Sequence, residues 1–342
     1  MKPESKQALI VAGEASSSLY ALRLLQEFKQ QNIDLHCFGV GSREMEAEGF
    51  ECIGRSEEMA VVGLQEVLSH YKDIKAVFDK LIHEVEKRKP SFILLLDYPD
   101  FNLRLAKKLK RFGIPIVYYI SPQLWAWRTS RIKIIQKYID KMLVVFPFEQ
   151  PFYEKHNVDC EFVGHPLLDE VNDSLYTRER RHEHRARHGF DDSDFVVGLL
   201  PGSRTSELKL NLQAQVQAAE LMYQRNNQLK FFLAIAPSFD IESIRPFLPE
   251  QINCPLVLVK REPFDMIRMA DAILTASGTA TMMVGLMHCP MVIMYKMKPV
   301  TAWLARRLVK GQKNFGMINL ILGEEVCKEL FQEQASPENM AE

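Results

Sequence analysis

Two kinds of apolar pattern alternate along this chain. Short unbroken runs, "ALIVAG" (8–13), "LHCFGVG" (35–41), "FILLLD" (92–97), "IPIVYYI" (114–120) and "KMLVVFP" (141–147), are separated by stretches 18–30, 64–88 and 101–112, whose apolar residues recur at helical spacing. A strand that is apolar at every position has both faces covered, which predicts a parallel sheet with helices on each side. A charged stretch, "YTRERRHEHRARHGFDDSD" (176–194), interrupts the pattern. It then restarts with "FVVGLLPGS" (195–203), "KFFLAIAP" (230–237), "CPLVLVK" (254–260), "DAILTAS" (271–277) and "CPMVIMYK" (289–296). The chain is therefore expected to be α/β, with two parallel-sheet domains, 1–172 and 173–342. Ligands of such sheets sit at the carboxyl ends of the strands, so a cleft between the two domains is the expected site.

Composition changes this picture little. A length of 342 residues suits two domains, and 47% hydrophobic with 25% charged residues is ordinary for a folded globular chain. A formal net charge of −1 supplies no overall pull toward nucleic acid. The six cysteines are scattered, without a CxxC pair or metal-ligand spacing, and point to reduced thiols in the cytoplasm. The N-terminal "MKPESKQALIVAG" holds too short an apolar run for a signal peptide, and no stretch approaches the ~18 apolar residues of a spanning helix. Any contact with a membrane is expected from its surface. His182, His184 and His188 lie in the charged stretch, the last two at i, i+4, but no nearby carboxylate or cysteine completes a metal site; a solvated helix entering the second domain is expected.

Candidate chemistry gathers in the turns after strands. In "LLPGSRTSE" (199–207), Gly202 permits close backbone approach and Arg204 offers a planar charged fork suited to a diphosphate; a plain strand–helix turn with a surface arginine explains the same residues equally well. In "AILTASGTATMMVG" (272–285) a strand meets a small-residue turn, Ser277-Gly278-Thr279, at the start of a helix, where exposed amides and the helix dipole favour an anion. "LLLDYPDFN" (94–102) sets Asp97 and Asp100 at a strand end, where Asp100 is either a helix cap or an ionised general base. The aromatic connection "YYISPQLWAWRTSR" (118–131) suits core packing, a sugar face or an acyl chain. Along 64–78, Leu64, Val67, Leu68, Tyr71, Ile74 and Phe78 mark one helical face that extends the apolar "MAVVGL" containing Val62. In "VTAWLARRLVK" (300–310), Trp303, Leu304 and Leu308 accompany Arg306, Arg307 and Lys310. Both segments fit an interfacial helix or a helix buried on one side.

In their order and spacing, these stretches resemble the lipid-A-disaccharide synthases, glycosyltransferases of family 19. The resemblance runs from "VAGEASSS" (11–18) to "INLILGEEVCKELFQ" (318–332), by way of "DYPDFN" (97–102), "SPQLWAWR" (121–128), "FPFEQPFY" (146–153), "FVGHPLLD" (162–169), "LLPGSRTSE" (199–207) and "TASGTA" (275–280). It implies a GT-B fold, two Rossmann-like domains facing across a cleft, with no metal and no cofactor beyond the UDP-sugar. It implies inverting transfer from UDP-2,3-diacylglucosamine to 2,3-diacylglucosamine 1-phosphate, giving the β-1,6-linked disaccharide phosphate and UDP. Asp100 matches the family's aspartate and is expected as the base, Arg204 and the Ser277–Thr279 turn are expected to hold the departing UDP, and Asn319 matches the asparagine expected in the cleft. Gly13, Glu14, Ser16 and Asp97 are expected to line the acceptor side, and Gly202 and Ser203 the donor side. Acylated substrates further imply docking on the cytoplasmic leaflet of the inner membrane through Val62, Leu64, Val67, Leu68 and Tyr71.

The chain departs from the family pattern in three places. Ser17-Ser18 stand where a glycine and an aspartate are usual, Met283 stands where the nucleotide-binding helix carries a glutamate, and the sequence ends at "SPENMAE". These leave open a GT-B enzyme with a changed donor, a non-catalytic homologue that binds acylated sugars or membranes, and whether the chain forms a homodimer.

Overall fold

The computed structural model describes residues 6–59, 64–124, 129–236, 239–260, 262–297 and 315–342, with backbone alone at 15, 57, 58, 64–71 and 129. The chain divides into two compact units, Met1–Pro166 and Leu167–Glu342. Each is built around its own parallel sheet.

In the first unit the strands are β1 Lys6–Ala12, β2 Leu35–Gly41, β3 Glu51–Arg55, β4 Phe92–Leu96, β5 Ile116–Tyr119, β6 Lys141–Val144 and β7 Cys160–Phe162. Among the described residues they form one seven-stranded sheet in the order β3-β2-β1-β4-β5-β6-β7, every pair parallel. The period-two alternation of a strand explains why unbroken apolar runs are needed here. Leu9 and Val11 of β1 enter one core layer with Leu81, Val85, Leu105 and Leu109, whereas Ala8, Ile10 and Ala12 enter the other with Tyr20, Ala21 and Leu25. Each valine, leucine or isoleucine among these, fully buried, contributes roughly 1.5–3 kcal/mol relative to exposure.

In the second unit β8 Val196–Leu200, β9 Lys230–Ala234, β10 Leu256–Val259, β11 Ala272–Ala276, β12 Met291–Tyr295 and β13 Lys328–Phe331 form a parallel sheet in the order β10-β9-β8-β11-β12-β13. The helix Thr205–Arg225 covers one face through Leu208, Leu212, Val216 and Ala219; Met266, Ile267, Val284 and Met287 cover the other. The fold class is thus the expected one, α/β with two doubly wound parallel sheets.

Three strands, β3, β7 and β13, carry no unbroken apolar run. All lie at sheet edges, where polar residues face water and guard the open rim. In β3, Glu51 receives a two-pronged grip from Arg88, with Nη1 and Nη2 donating at 2.7 and 2.5 Å. That grip, with His36, pulls the Glu51 carboxyl down to about 2. Beside β7, Lys141 pairs with Asp159 at 3.0 Å and Glu161 at 3.2 Å.

Two helices correct the expectations. The helix Leu64–Arg88 forms as its spacing predicts, but Ile74 and Phe78 of the proposed docking face pack on the unit's own core, Phe78 edge-on to Phe101 at 5.4 Å. The charged helix Arg178–Arg187 is solvated on one side only. Arg185 is buried, donating to the carbonyls of Met269, Asp191, Asp192 and Asp194 and to Asp271, while Arg180 and His184 meet Asp265. A buried guanidinium is tolerable because its donors are satisfied.

Candidate active site

In each sheet the chain leaves the first strand toward one edge and later returns to build toward the other. The two strands at that reversal, β1 and β4 in the first unit and β8 and β11 in the second, leave a crevice beyond their carboxyl ends, the usual ligand position. The sequence motifs fall at these places. Ala12 pairs with Leu96, so Gly13 and Asp97 emerge side by side; Leu200 pairs with Thr275, so the Pro201–Arg204 and Ser277–Thr279 turns emerge together.

In the first unit the turn after β4 is strained. Asp97 and Tyr98 both adopt left-handed backbone, φ 44° and 46°, a conformation that costs a non-glycine residue about 1–2 kcal/mol and concentrates at functional sites. Hydrogen bonds hold it. Buried Asn102 donates to the carbonyls of Leu96 at 3.0 Å and Asp97 at 2.8 Å, and the Tyr118 hydroxyl donates to Asp97 O at 2.5 Å. The Tyr98 ring lies against Gly13, where a β-carbon would stand 2.6 Å from Cδ1, so no larger residue fits. The same ring stacks on Phe101, and its hydroxyl donates to Met59 O at 3.1 Å. Burial, then the nearby Glu14 and Asp100 carboxylates, hold the Tyr98 phenol above its ordinary range.

Asp100 sits in the first turn of the helix Pro99–Leu109 with its side chain 68% exposed, and Arg131 Nη2 grips its Oδ1. Tyr98, not Asp100, occupies the cap position, so the capping role weighed for Asp100 does not describe it. Glu14 precedes the helix Ala15–Gln30, its amide donating to Ser17 Oγ at 3.1 Å; Ser16 is exposed. Ser17 and Ser18 are buried, and Ser18 Oγ donates to Ala12 O at 3.2 Å, so the departing pair is spent on the helix start.

In the second unit Gly202 has φ 125°, and a β-carbon there would meet Glu207 Cβ at 2.6 Å. Glu207 accepts from the amides of Ser203 at 2.8 Å and Arg204 at 3.2 Å, and from Arg204 Nη1 at 3.3 Å. An incoming phosphate therefore meets a carboxylate already seated on those amides, a feature the motif did not reveal. The Arg204 side chain remains 55% exposed. At the other turn Ser277 N is taken by Met294 O, while Gly278 and Thr279 are exposed at the start of the helix Thr279–Leu286, whose first amides lack intrahelical acceptors. Met283 is half-buried on that helix among apolar neighbours.

Asn319, expected in the cleft, is held inside its own unit. It is fully buried, donating to Cys327 O and Glu329 Oε1, both at 2.7 Å, and accepting from the amides of Val326 and Cys327. Its amide fixes the approach to β13 beside Glu329, which also accepts from Phe315 N and Gly316 N at 2.9 Å. Val62, Trp125, Trp127, Arg128 and the 300–310 segment lie outside the described residues, as do the side chains of Leu64, Val67, Leu68 and Tyr71, whose backbone is helical. Sequence reasoning missed Tyr98, Glu207 and the partnership of Arg131 with Asp100; only the positions of these residues beside the motifs hinted at them.

Comparison with known proteins gives the family and the fold. A family model described as lipid-A-disaccharide synthetase matches residues 8–342. The chain is similar to the lipid-A-disaccharide synthase of Trichlorobacter lovleyi, 42% identical over 98% of this chain and 86% of the relative. To the lipid-A-disaccharide synthase of Nitrosococcus oceani it is 40% identical over 100% and 87%, and to that of Coxiella burnetii 37% over 99% and 88%. Among solved structures it is similar to UDP-GlcNAc 2-epimerase from Neisseria meningitidis, with a TM-score of 0.65, 12% identity and coverage of 98% and 89%. Acinetobacter baumannii MurG gives a TM-score of 0.55 at 12% identity, covering 98% and 89%. At such identities the structures speak to fold alone, and the two Rossmann-like sheets place it in the GT-B class. With its motifs at the two strand reversals and its relatives matched almost end to end, the chain belongs to the lipid-A-disaccharide synthase family.

Proposed function

We propose that this chain transfers a 2,3-diacylglucosaminyl group from UDP-2,3-diacylglucosamine to the 6-hydroxyl of 2,3-diacylglucosamine 1-phosphate, with inversion, forming the β-1,6 bond and releasing UDP. The observation that carries the reading is the near end-to-end match to curated synthases, at 42% identity over 98% of the chain in one case. The placement of exposed Asp100 at one strand reversal and exposed Arg204 at the other supports it.

The first unit handles the acceptor. Asp100 takes the proton of the attacking hydroxyl as its oxygen bonds to the anomeric carbon, and Gly13, Glu14, Ser16 and Asp97 border the sugar. The second unit handles the donor. As the bond to UDP breaks, the electron pair leaves with the diphosphate, whose growing charge meets Arg204 and the amides of the Gly278–Thr279 turn. For phosphate to sit on the Ser203 and Arg204 amides, the Glu207 carboxylate moves aside. No further cofactor is needed in this scheme.

Acyl chains bring the membrane into the reading. Each methylene drawn from lipid into water costs about 0.8 kcal/mol, so the enzyme works at the bilayer surface. Among the described residues no helix is long and apolar enough to cross a membrane, which suits peripheral docking through Val62, Leu64, Val67, Leu68 and Tyr71 on the cytoplasmic leaflet of the inner membrane.

The test is UDP release from the two purified substrates. Asp100→Ala is expected to lower turnover by about 10²–10⁴-fold, the scale of general-base catalysis, with UDP affinity nearly unchanged. Wild-type chain that binds acylated sugar but shows no turnover at high donor concentration would be a binding homologue instead.

A further inference from the structure

Asp100 does not stand alone on its turn. Arg131 Nη2 holds its Oδ1 in a close ion pair, and the partners differ in access, the aspartate side chain being 68% exposed and the arginine 18%. The crevice thus presents a carboxylate at its mouth with a guanidinium anchored beneath it. The carboxylate oxygen held in that pair has its lone pairs turned to the guanidinium rather than to an incoming hydroxyl. The pair is also replaceable, since a solvent-accessible ion pair is weak and arginine binds a better-matched anion more strongly. A phosphate monoester is such an anion. It carries about −1.5 to −2 charges at neutral pH and takes the guanidinium fork through two parallel hydrogen bonds.

Building on the glycosyl-transfer reading above, we propose that Arg131 is a specificity-determining residue that exchanges partners: it lets go of Asp100 and takes the phosphate monoester of the acceptor. The base is thereby released only when a phosphorylated acceptor is seated. Asp100 then accepts the hydroxyl proton, the acceptor oxygen bonds to the anomeric carbon, and the pair of electrons in the severed bond departs with UDP. A sugar of the same acylation but without phosphate leaves the ion pair closed and the base occupied.

The experiment compares kcat/KM for 2,3-diacylglucosamine 1-phosphate and for the same compound lacking its phosphate, in mixed micelles. Wild type, Arg131→Gln and Arg131→Lys are assayed, with thermal midpoint and UDP affinity recorded for each. Wild type is expected to prefer the phosphorylated acceptor. Arg131→Gln is expected to lose about ten- to a hundredfold of that preference, the range of a charge-assisted hydrogen bond, mainly as a raised KM for the phosphorylated acceptor. Its turnover of the unphosphorylated acceptor is expected to equal or exceed that of wild type, and UDP affinity to hold. Arg131→Lys, with the charge but not the fork, is expected to keep part of the preference, and it carries the test alone if Arg131→Gln does not fold. Equal loss on both acceptors, or a preference untouched by either variant, overturns the proposal. Wild type that turns over neither acceptor removes the glycosyl-transfer reading itself, a result distinct from either of those.

Discussion

At His165 the surroundings decide the charge. The imidazole lies against Phe146 at 5.2 Å and Tyr20 at 6.3 Å, and burial pushes its pKa down to about 4. In the unfolded chain the ring titrates near ~6.5, so between pH ~6.5 and ~4 the unfolded state binds a proton that the folded state refuses. Stability therefore falls as pH drops through that window, and above it the group is neutral in both states and contributes nothing. His165→Phe is expected to flatten this decline by about 2 kcal/mol between pH 7 and pH 4.5, measured by denaturant titration; parallel curves would show that the ring is protonated while folded. The same scale explains what a sequence conceals. The position of Asp100 could be read because a carboxylate just past an apolar strand lies near the carboxyl end of a parallel sheet. The surroundings of Asn319 could not be read, because nothing in a linear pattern tells that its amide bonds to Cys327 and Glu329.

Among the elements, the helix Thr205–Arg225 does more than cover its sheet. Gln215, fully buried, donates to Leu274 O at 3.2 Å and Leu200 O at 3.4 Å, and so ties together the two strands from which the Pro201–Arg204 and Ser277–Thr279 turns emerge. Gln215→Leu keeps the volume but removes the side-chain donor from buried Leu274 O and half-buried Leu200 O, at about 1–3 kcal/mol where a buried group is left unsatisfied. We expect a lower thermal midpoint together with UDP binding weakened several-fold, measured by calorimetry; unchanged UDP affinity in the destabilised variant would reduce the clamp to a packing role. The central strands and long helices were legible because burial on both faces imposes an unbroken apolar run. β3, β7 and β13 were not, because polar residues interrupt each of these edge strands and leave no apolar run to read.

For the whole molecule, the restart of the pattern after the charged stretch announced two sheets, while the burial of Arg185 and its grip on Asp271 could be known only from three dimensions. The proposed docking on a bilayer is tested at this scale. Serine substitutions at Leu64, Val67, Leu68 and Tyr71 are expected to cut association with anionic liposomes by at least tenfold, as each apolar group withheld from lipid forfeits about 1.5–3 kcal/mol. Sedimentation of vesicles measures this, and binding that survives all four changes would move the docking surface elsewhere. The charged rims of the first sheet carry a separate consequence. With Glu51 locked by Arg88 along one border and Lys141 bridging Asp159 and Glu161 along the other, a strand from a second copy would have to break those pairs before it could align. Lateral growth of this sheet into a continuous ribbon is thereby discouraged.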